Sequence, residues 1–486
     1  MKRHHVLSFV LMVLTVGFMA SCATDGFDDE SFSSDVRNTQ LASPVSDEIT
    51  VTPNADGSRQ TIAWPLVKGA RGFEVKILNV NDPEQAVQVV DSIIDGYSVT
   101  IAREEDTNYE LTIRTLGNTQ LGNTDAAEAT AKAFSTFSPT YATIKASEYT
   151  DLKEYFDAFP LPEDETGMLC IDLEGGANYT LSGDVNLGGH QVTIRSTSKK
   201  NHATLTIAQN AKFVTYASFY LKYLNIDCAQ TNKPVVELSD TPDESLKNLE
   251  NAKGDYYYIS NPIVFQSCNF SNVGACLIQD QNKYVVRNLT FTDCVVAIDR
   301  TSAATNAVSS DPIVKLSKAS YVTDFVVKNS TFYSKEHTTS AFLTYNGRPK
   351  DLGNDAELQK ISFISTTLVN LSYNTNFRGD TRTQGQTSNY FTVEKCIIVD
   401  CGKKNFCNAL LRQMSTNPTV SYNQNTYWWN GEDVSSAQTG DGADQTGTAL
   451  TTDPAFVDPA NANFTPTGAQ QVEWKAGDPR WFATAE

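Results

Sequence analysis

The chain has 486 residues, with 38 Lys and Arg against 57 Asp and Glu, a formal net charge of −19. That balance argues against nucleic-acid binding, because phosphate contacts need clustered cations. A composition of 40% hydrophobic and 20% charged residues suffices for sizeable cores in about two to four domains and excludes a mostly disordered chain. There are only five His, of which His4 and His5 sit at the start, so little material exists for a His-rich metal site.

Lys2 and Arg3 precede an apolar run, Val6 to Met19, which ends in Ala20, Ser21 and Cys22. This is the layout of a secretory signal, too short for a membrane span. A Cys directly after small residues resembles the lipobox of bacterial lipoproteins. That resemblance implies a signal peptide over 1–21 and a lipidated Cys22 in the outer membrane. Acyl chains stabilise such an anchor by ~0.8 kcal/mol per buried CH₂. The acidic residues that follow (Asp25, Asp28, Asp29, Glu30) resemble the surface-export signal of Bacteroidetes lipoproteins and imply exposure at the cell surface. Residues 22–44, rich in Ser, Asp, Thr and Asn, read as a flexible acidic tether.

Between 45 and 137 short alternating runs predict strands at Glu48–Val51, Gln60–Trp64, Gly72–Leu78, Val87–Ile94, Ser98–Ala102 and Asn108–Thr115. Several short strands in so short a span indicate a β-sandwich. With Trp64 on an early strand and Tyr109 in the tyrosine-corner place, the segment resembles a fibronectin type III module, which implies a spacer or docking piece. Asn123-Thr-Asp125 matches a short polygalacturonase motif but falls at the end of this sandwich.

The second domain spans 140–486. Leu152, Tyr155, Phe156 and Phe159 recur at helical spacing within 147–159, with Ser147 or Thr150 as the cap and Pro160 as the stop. Strands follow at Met168–Leu173, Val192–Ser196, Thr204–Ile207 and Phe213–Tyr216. Then an eight-residue template repeats: Ile263, Phe265, Cys268, Phe270; Leu289, Phe291, Cys294, Val296; Phe325, Val327, Ser330, Phe332; Ile361, Phe363, Thr366, Leu368; Phe391, Val393, Cys396, Ile398; Val420, Tyr422, Asn425, Tyr427. Its starts lie 26, 36, 36, 30 and 29 residues apart, the period of a solenoid. A weaker copy reads Leu224, Ile226, Ala229. Alternation, a break and renewed alternation describe strand, bend and strand, and stacked coils then share one core. The fold class is all-β: a sandwich followed by a right-handed parallel β-helix with a short capping helix. The Cys, Ser, Thr and Asn of the template stack inside one corner, where free thiols are readily buried. Besides Cys22 there are eight cysteines, an even number that permits disulfides; no spacing suggests zinc.

The coils, with Thr452–Phe464 and Gly477-Asp-Pro-Arg-Trp481, resemble the pectate-lyase-like superfamily and, more narrowly, β-helix lipoproteins of gut Bacteroidetes polysaccharide utilisation loci. The resemblance implies a surface protein that captures a polysaccharide, possibly pectin-like, beside an outer-membrane glycan import complex. A calcium-dependent uronate lyase and a surface adhesin are the alternatives. A lyase needs a basic residue to take the proton α to a carboxylate, and Ca²⁺ to stabilise the enolate. Arg300, Lys315, Lys318, Arg348, Lys350, Arg378 and Arg382 are basic candidates. Asp299, Asp311 and Asp380 are weak candidates for a hard cation. The Asp-His, Gly-His-Gly and Arg-Ile-Lys signatures of related pectin enzymes are missing. Sugar binding calls for aromatic faces with planar polar groups beside them. The carbohydrate-binding candidates are Tyr345, Arg348, Lys350, Arg378, Arg382, Trp428 and Trp429, with Tyr256–Tyr258, Trp474 and Trp481 as further aromatics. The arginines and Lys350 suit pairing with sugar carboxylates. Adjacent Trp428 and Trp429 point to opposite faces of a strand.

Overall fold

The structure is a computed structural model that describes residues 36–55, 57–247, 256–301, 311–345, 359–379, 389–411, 418–435 and 442–482. The chain divides into two compact units, Met1–Ser138 and Pro139–Glu486.

The first unit is a two-sheet antiparallel sandwich. β1 (Thr50–Pro53), β2 (Arg59–Ala63) and β5 (Ser98–Ala102) form one sheet in the order β1-β2-β5. β3 (Ala70–Asn79), β4 (Val87–Ile94), β6 (Asn108–Gly117) and β7 (Thr130–Ser135) form the other, ordered β4-β3-β6-β7. Alternation puts Phe73, Val75 and Ile77 of β3 and Tyr109, Leu111 and Ile113 of β6 on one face. They meet Ile62, Trp64 and Ile101 from the opposite side in a single buried cluster. The Tyr109 hydroxyl accepts the backbone N–H of Glu104 at 3.3 Å, which pins the start of β6. Residues 36–44 lie against this sandwich. Leu41 is buried and its N–H donates to Thr124 O, while the Asn123 amide donates to Val36 O and Gly69 O. Asn123 thus has a structural task, and the motif match around it is a coincidence.

The second unit begins with strand Thr140–Ile144 and helix α1 (Leu152–Ala158). α1 is shorter than its apolar spacing predicts. Asp151 pairs with Thr180 across a β-bridge, so the backbone stays extended to that point, and its carboxylate caps the N–H of Lys153 at 2.8 Å. Leu152 and Phe156 turn into the solenoid core and close its end.

Each coil then contributes one strand in turn to an eleven-, a nine- and a six-stranded sheet, paired in parallel. One turn runs Phe219–Lys222, Leu224–Asp227, Val236–Leu238, and the next re-enters the first sheet at Ile263–Gln266. This cyclic order is a parallel β-helix. The repeat template stacks in register: Ile263, Leu289, Phe325, Ile361, Phe391 and Val420 are successive partners, as are Phe265, Phe291, Val327, Phe363, Val393 and Tyr422. The weaker copy is corrected by the same register. Leu221 pairs with Phe265 and Ile226 with Phe270, so the true copy is Phe219, Leu221, Leu224, Ile226. Apart from Val420 at the end of the stack, which is exposed, these side chains are buried, and full burial of each contributes roughly 1.5–3 kcal/mol. Stacking of Phe265 on Phe291, with ring centroids 4.6 Å apart and planes 9° from parallel, adds to it.

The corner between the eleven- and nine-stranded sheets explains the small residues of the template. Tyr223, Ser267, Asp293, Asn329, Ser365, Lys395 and Gln424 all have positive φ. Each left-handed residue costs about 1 kcal/mol and throws the next side chain inward: Leu224, Cys268, Cys294, Ser330, Thr366, Cys396 and Asn425, all fully buried. Most of these donate to a carbonyl of the preceding coil. Cys268 reaches Leu221 O, Cys294 Phe265 O, Thr366 Val327 O and Cys396 Phe363 O, each at 3.3 Å, and Asn425 reaches Val393 O at 2.6 Å. A small S–H or O–H fits this space and satisfies a buried acceptor. All eight described cysteines are free.

Helix α2 (Phe406–Leu411) lies almost wholly inside a late coil. The C-terminal segment, with a two-stranded hairpin (Phe456–Asp458, Asn463–Pro466) and helix α3 (Ala469–Trp474), straps the outer face of the nine-stranded sheet. Phe464 packs on Tyr333 and Trp481. Thr331 donates to Asp478 at 2.8 Å and the Trp481 indole to Thr331 at 2.9 Å, while the N–H of Asp478 donates to Thr367 at 3.0 Å. Gly477 has φ +97°, and a Cβ there would meet Thr367 Oγ1 at 2.8 Å, so only glycine lets the strap lie this close.

Candidate functional site

Among the described residues, the sites expected from sequence separate rather than converge. Arg378 is 1% exposed. Its Nε and Nη2 donate to Leu410 O and Leu411 O at 2.9 and 2.8 Å. The last carbonyls of α2 have no helical partner, and the buried guanidinium caps them; Arg378 does not face a ligand. Trp429 is buried and stacks on Tyr373 (4.6 Å, 2°), which stacks on His337 (3.8 Å, 3°), whose Nε2 lies 3.6 Å from Asp400. These ring faces are spent on one another. Trp428 is half-buried at the end of its strand, in the outward column of Tyr333, Val369 and Val399. Tyr345 ends strand Leu343–Tyr345 of the six-stranded sheet. Arg348, Lys350, Arg382, Asp380 and Cys22 lie outside the described residues.

The charged candidates near Arg300 are also engaged. Arg300 is buried and donates to Gly274 O, Ala275 O and Asp311 O; burial lowers its pKa from the usual arginine value. Asp299 closes a turn on Thr301, and Asp311 pairs with Lys315 at 2.8 Å. Among the described residues no group of three or more His, Cys, Asp or Glu is placed to hold a metal ion. Nor is any described helix long and apolar enough to cross a membrane. Burial pushes the thiols of Cys228, Cys268, Cys276, Cys396 and Cys407 up to about 12, away from nucleophilic use.

A cleft of about 190 Å³ opens instead on the corner between the six- and eleven-stranded sheets, in the early coils. Successive turns line it. Gly189 and Gln191 follow strand Val185–Gly188, Tyr216 to Ser218 follow Phe213–Thr215, and Tyr258 to Asn261 precede Ile263–Gln266. Leu246 closes one side. Gly189 has no side chain because the Tyr216 ring lies over it: a Cβ would meet Tyr216 Cε2 at 2.8 Å. Tyr258 is held by a separate small core with Tyr256, Val285 and Tyr321. The Asn261 amide donates to Gln191 Oε1 at 2.7 Å, and Gln191 Nε2 donates to Thr166 O at 3.0 Å. That chain fixes both amide planes and leaves the Asn261 carbonyl oxygen as an acceptor at the exposed rim. Ser218 donates to Pro262 O at 2.6 Å. Two tyrosines with oriented amides make a mixed apolar and polar surface of the kind that binds small molecules. Sequence reasoning noted Tyr258 and missed Tyr216, Gln191 and Asn261. The usable signal was Gly188-Gly189 at a coil corner, where a bulky neighbour needs room.

The fold and site define a parallel β-helix protein preceded by an antiparallel sandwich. Three family models match the chain, each described as a domain of unknown function: DUF4992 over residues 1–174, DUF4957 over 177–335 and DUF5123 over 325–481. No curated protein matches. Among solved structures, a pectin methylesterase variant in complex with a hexasaccharide is similar at 9% identity and TM-score 0.30, covering 68% of this chain and 100% of its own. A Family 28 exopolygalacturonase of Yersinia enterocolitica is similar at 8% identity and TM-score 0.17, covering 79% and 96%. The β-helix rests on the strand pairings, independently of these two likenesses.

Proposed function

We propose that the protein is a surface lipoprotein, anchored through Cys22 in the outer membrane, that captures a polysaccharide for an import complex. In this reading the fibronectin type III-like sandwich is the spacer, and the right-handed, pectate-lyase-like β-helix carries the ligand. The observation that supports capture is the cleft between Tyr216 and Tyr258, with its fixed Gln191–Asn261 amide pair. Aromatic faces receive the apolar face of a sugar ring, and the amides receive its hydroxyls. The shifted groups Arg300, Asp478 and the buried thiols are accounted for by packing, which favours binding over catalysis.

The test is affinity gel electrophoresis of the soluble form beginning after Cys22, against a panel of polysaccharides, with ultraviolet absorbance followed in parallel. Retardation by at least one polymer without unsaturated uronate products is expected. Accumulation of those products would replace capture with lyase chemistry, and unchanged mobility on every gel would overturn the reading.

A further inference from the structure

Resting on that reading, we infer that the polysaccharide held between Tyr216 and Tyr258 is uncharged. Among the described residues, none of the ten that line the cleft carries a charge: Tyr216, Tyr258, Gln191, Asn261, Ser218 and Ser260 supply the polar atoms, and Gly189, Ala217, Leu246 and Ile259 the rest. Recognition of a uronate calls for a guanidinium or ammonium facing the carboxylate, with bidentate geometry the strongest form. The three buried arginines among the described residues are engaged elsewhere, Arg195 with the Asp172 carboxylate and Arg300 and Arg378 with backbone carbonyls.

The described charges near the cleft are mixed, with carboxylates in the majority. The segment that brings Leu246 to the wall also carries Asp240, Asp243 and Glu244 against Lys247. Lys247 is itself held by Glu244 at 2.5 Å and lies over the Tyr257 ring at 5.1 Å. Arg287 sits over the Tyr258 ring at 5.8 Å, but it is not a lining residue. Asp240, Asp243 and Glu244 outnumber Lys247 and Arg287 here, so a polyuronate, with one carboxylate per sugar, gains no net attraction from these groups. A neutral chain needs none. Its hydroxyls match the Asn261 carbonyl, the Gln191 amide and the serine and tyrosine hydroxyls, which are neutral donors and acceptors.

Gly189 supplies a test that removes none of the lining polar groups. Its φ is not in the left-handed region, yet a Cβ would press on Tyr216 Cε2 at 2.8 Å and displace the ring. Soluble wild type, Tyr216→Ala, Tyr216→Phe and Gly189→Ala are run on gels containing galactan, mannan, arabinan or a β-glucan, beside polygalacturonate and alginate, at low and high salt. Circular dichroism melts check that each variant folds. The expected result is retardation by at least one neutral polymer, insensitive to salt. It weakens about tenfold or more in Tyr216→Ala, is largely retained in Tyr216→Phe, and weakens in folded Gly189→Ala. Retardation only by the acidic polymers would overturn the inference while leaving polysaccharide capture standing. Retardation by a neutral polymer that is indifferent to both Tyr216→Ala and Gly189→Ala would also overturn it, because the site would lie elsewhere. No retardation on any gel would remove capture and the inference together.

Discussion

The guanidinium of Arg378 donates to the backbone carbonyl of Leu411 across 2.8 Å, and to that of Leu410 across 2.9 Å. An arginine that sequence assigns to a ligand is thus the C-terminal cap of a buried helix. Removing it strands two carbonyls of buried residues, each costing about 1–3 kcal/mol. Arg378→Met is therefore expected to lower unfolding stability in urea by about 3 kcal/mol and to leave gel retardation of the folded variant unchanged. Weaker retardation with unaltered stability would return Arg378 to the ligand.

The thiols of the corner ladder give a second expectation. Cys268, Cys294 and Cys396 donate to carbonyls of the preceding coil and are fully buried. A water-soluble thiol reagent at neutral pH should modify none of the eight described cysteines in the native protein and all of them in denaturant. Burial raises Cys268 and Cys396 to about 12, against about 8.5 in an unfolded chain. A raised folded pKa contributes stability that is complete below the unfolded value and is lost as pH climbs through the folded one. Stability should therefore fall progressively above about pH 8.5, and less steeply in Cys268→Ser. Fast labelling of the native ladder would contradict the packing.

Asp478 fastens the C-terminal strap, accepting from Thr331 at 2.8 Å and from Arg480 at 2.6 Å while 1% exposed. Burial raises its pKa, and the Arg480 guanidinium offsets this only in part. Its protonated form is thus favoured by folding. The contribution is largest below the ordinary carboxylate value, about 3.9, and declines as pH rises through the higher folded value. The stability of wild type relative to Asp478→Asn, from urea unfolding across this range, is expected to shrink as pH rises. A difference that grows with pH would show that the ion pair with Arg480 outweighs burial.

The late coils were legible because their corner is only two residues long, so strand, bend and strand fall at one fixed spacing. The template then names the stacked residues from Ile263 to Tyr427. The early coils escape it because Thr197 to His202 separate strand Gln191–Ser196 from Ala203–Ile207, and the eight-residue spacing is lost. The cleft lies on those early coils, so its residues went unmarked except Tyr258. Arg378 and Trp429 misled for a related reason. Exposed ligand-binding and buried structural uses of Arg and Trp have the same local sequence, and only the arrival of α2 and of the Tyr373 ring decides between them. In the sandwich, β7 was overlooked; its alternation Thr130–Ser135 uses small residues, Ala131 and Ala133 among them, which carry little periodic signal.

The unbroken registers that lead into every late corner have a consequence for how such a chain can change. Neighbouring template starts differ by as much as 26 against 36 residues, yet the left-handed residue and its inward neighbour occur at each of these turns. That corner is the spine of the molecule, and the two other edges absorb the difference in length. A single residue gained at the spine would throw every following side chain to the wrong face. A whole circuit, cut between equivalent residues such as Asn329 and Ser365, would join Thr366 to a bend already shaped for it. Growth and loss are thus quantised in complete turns, while the two other edges remain free to vary residue by residue.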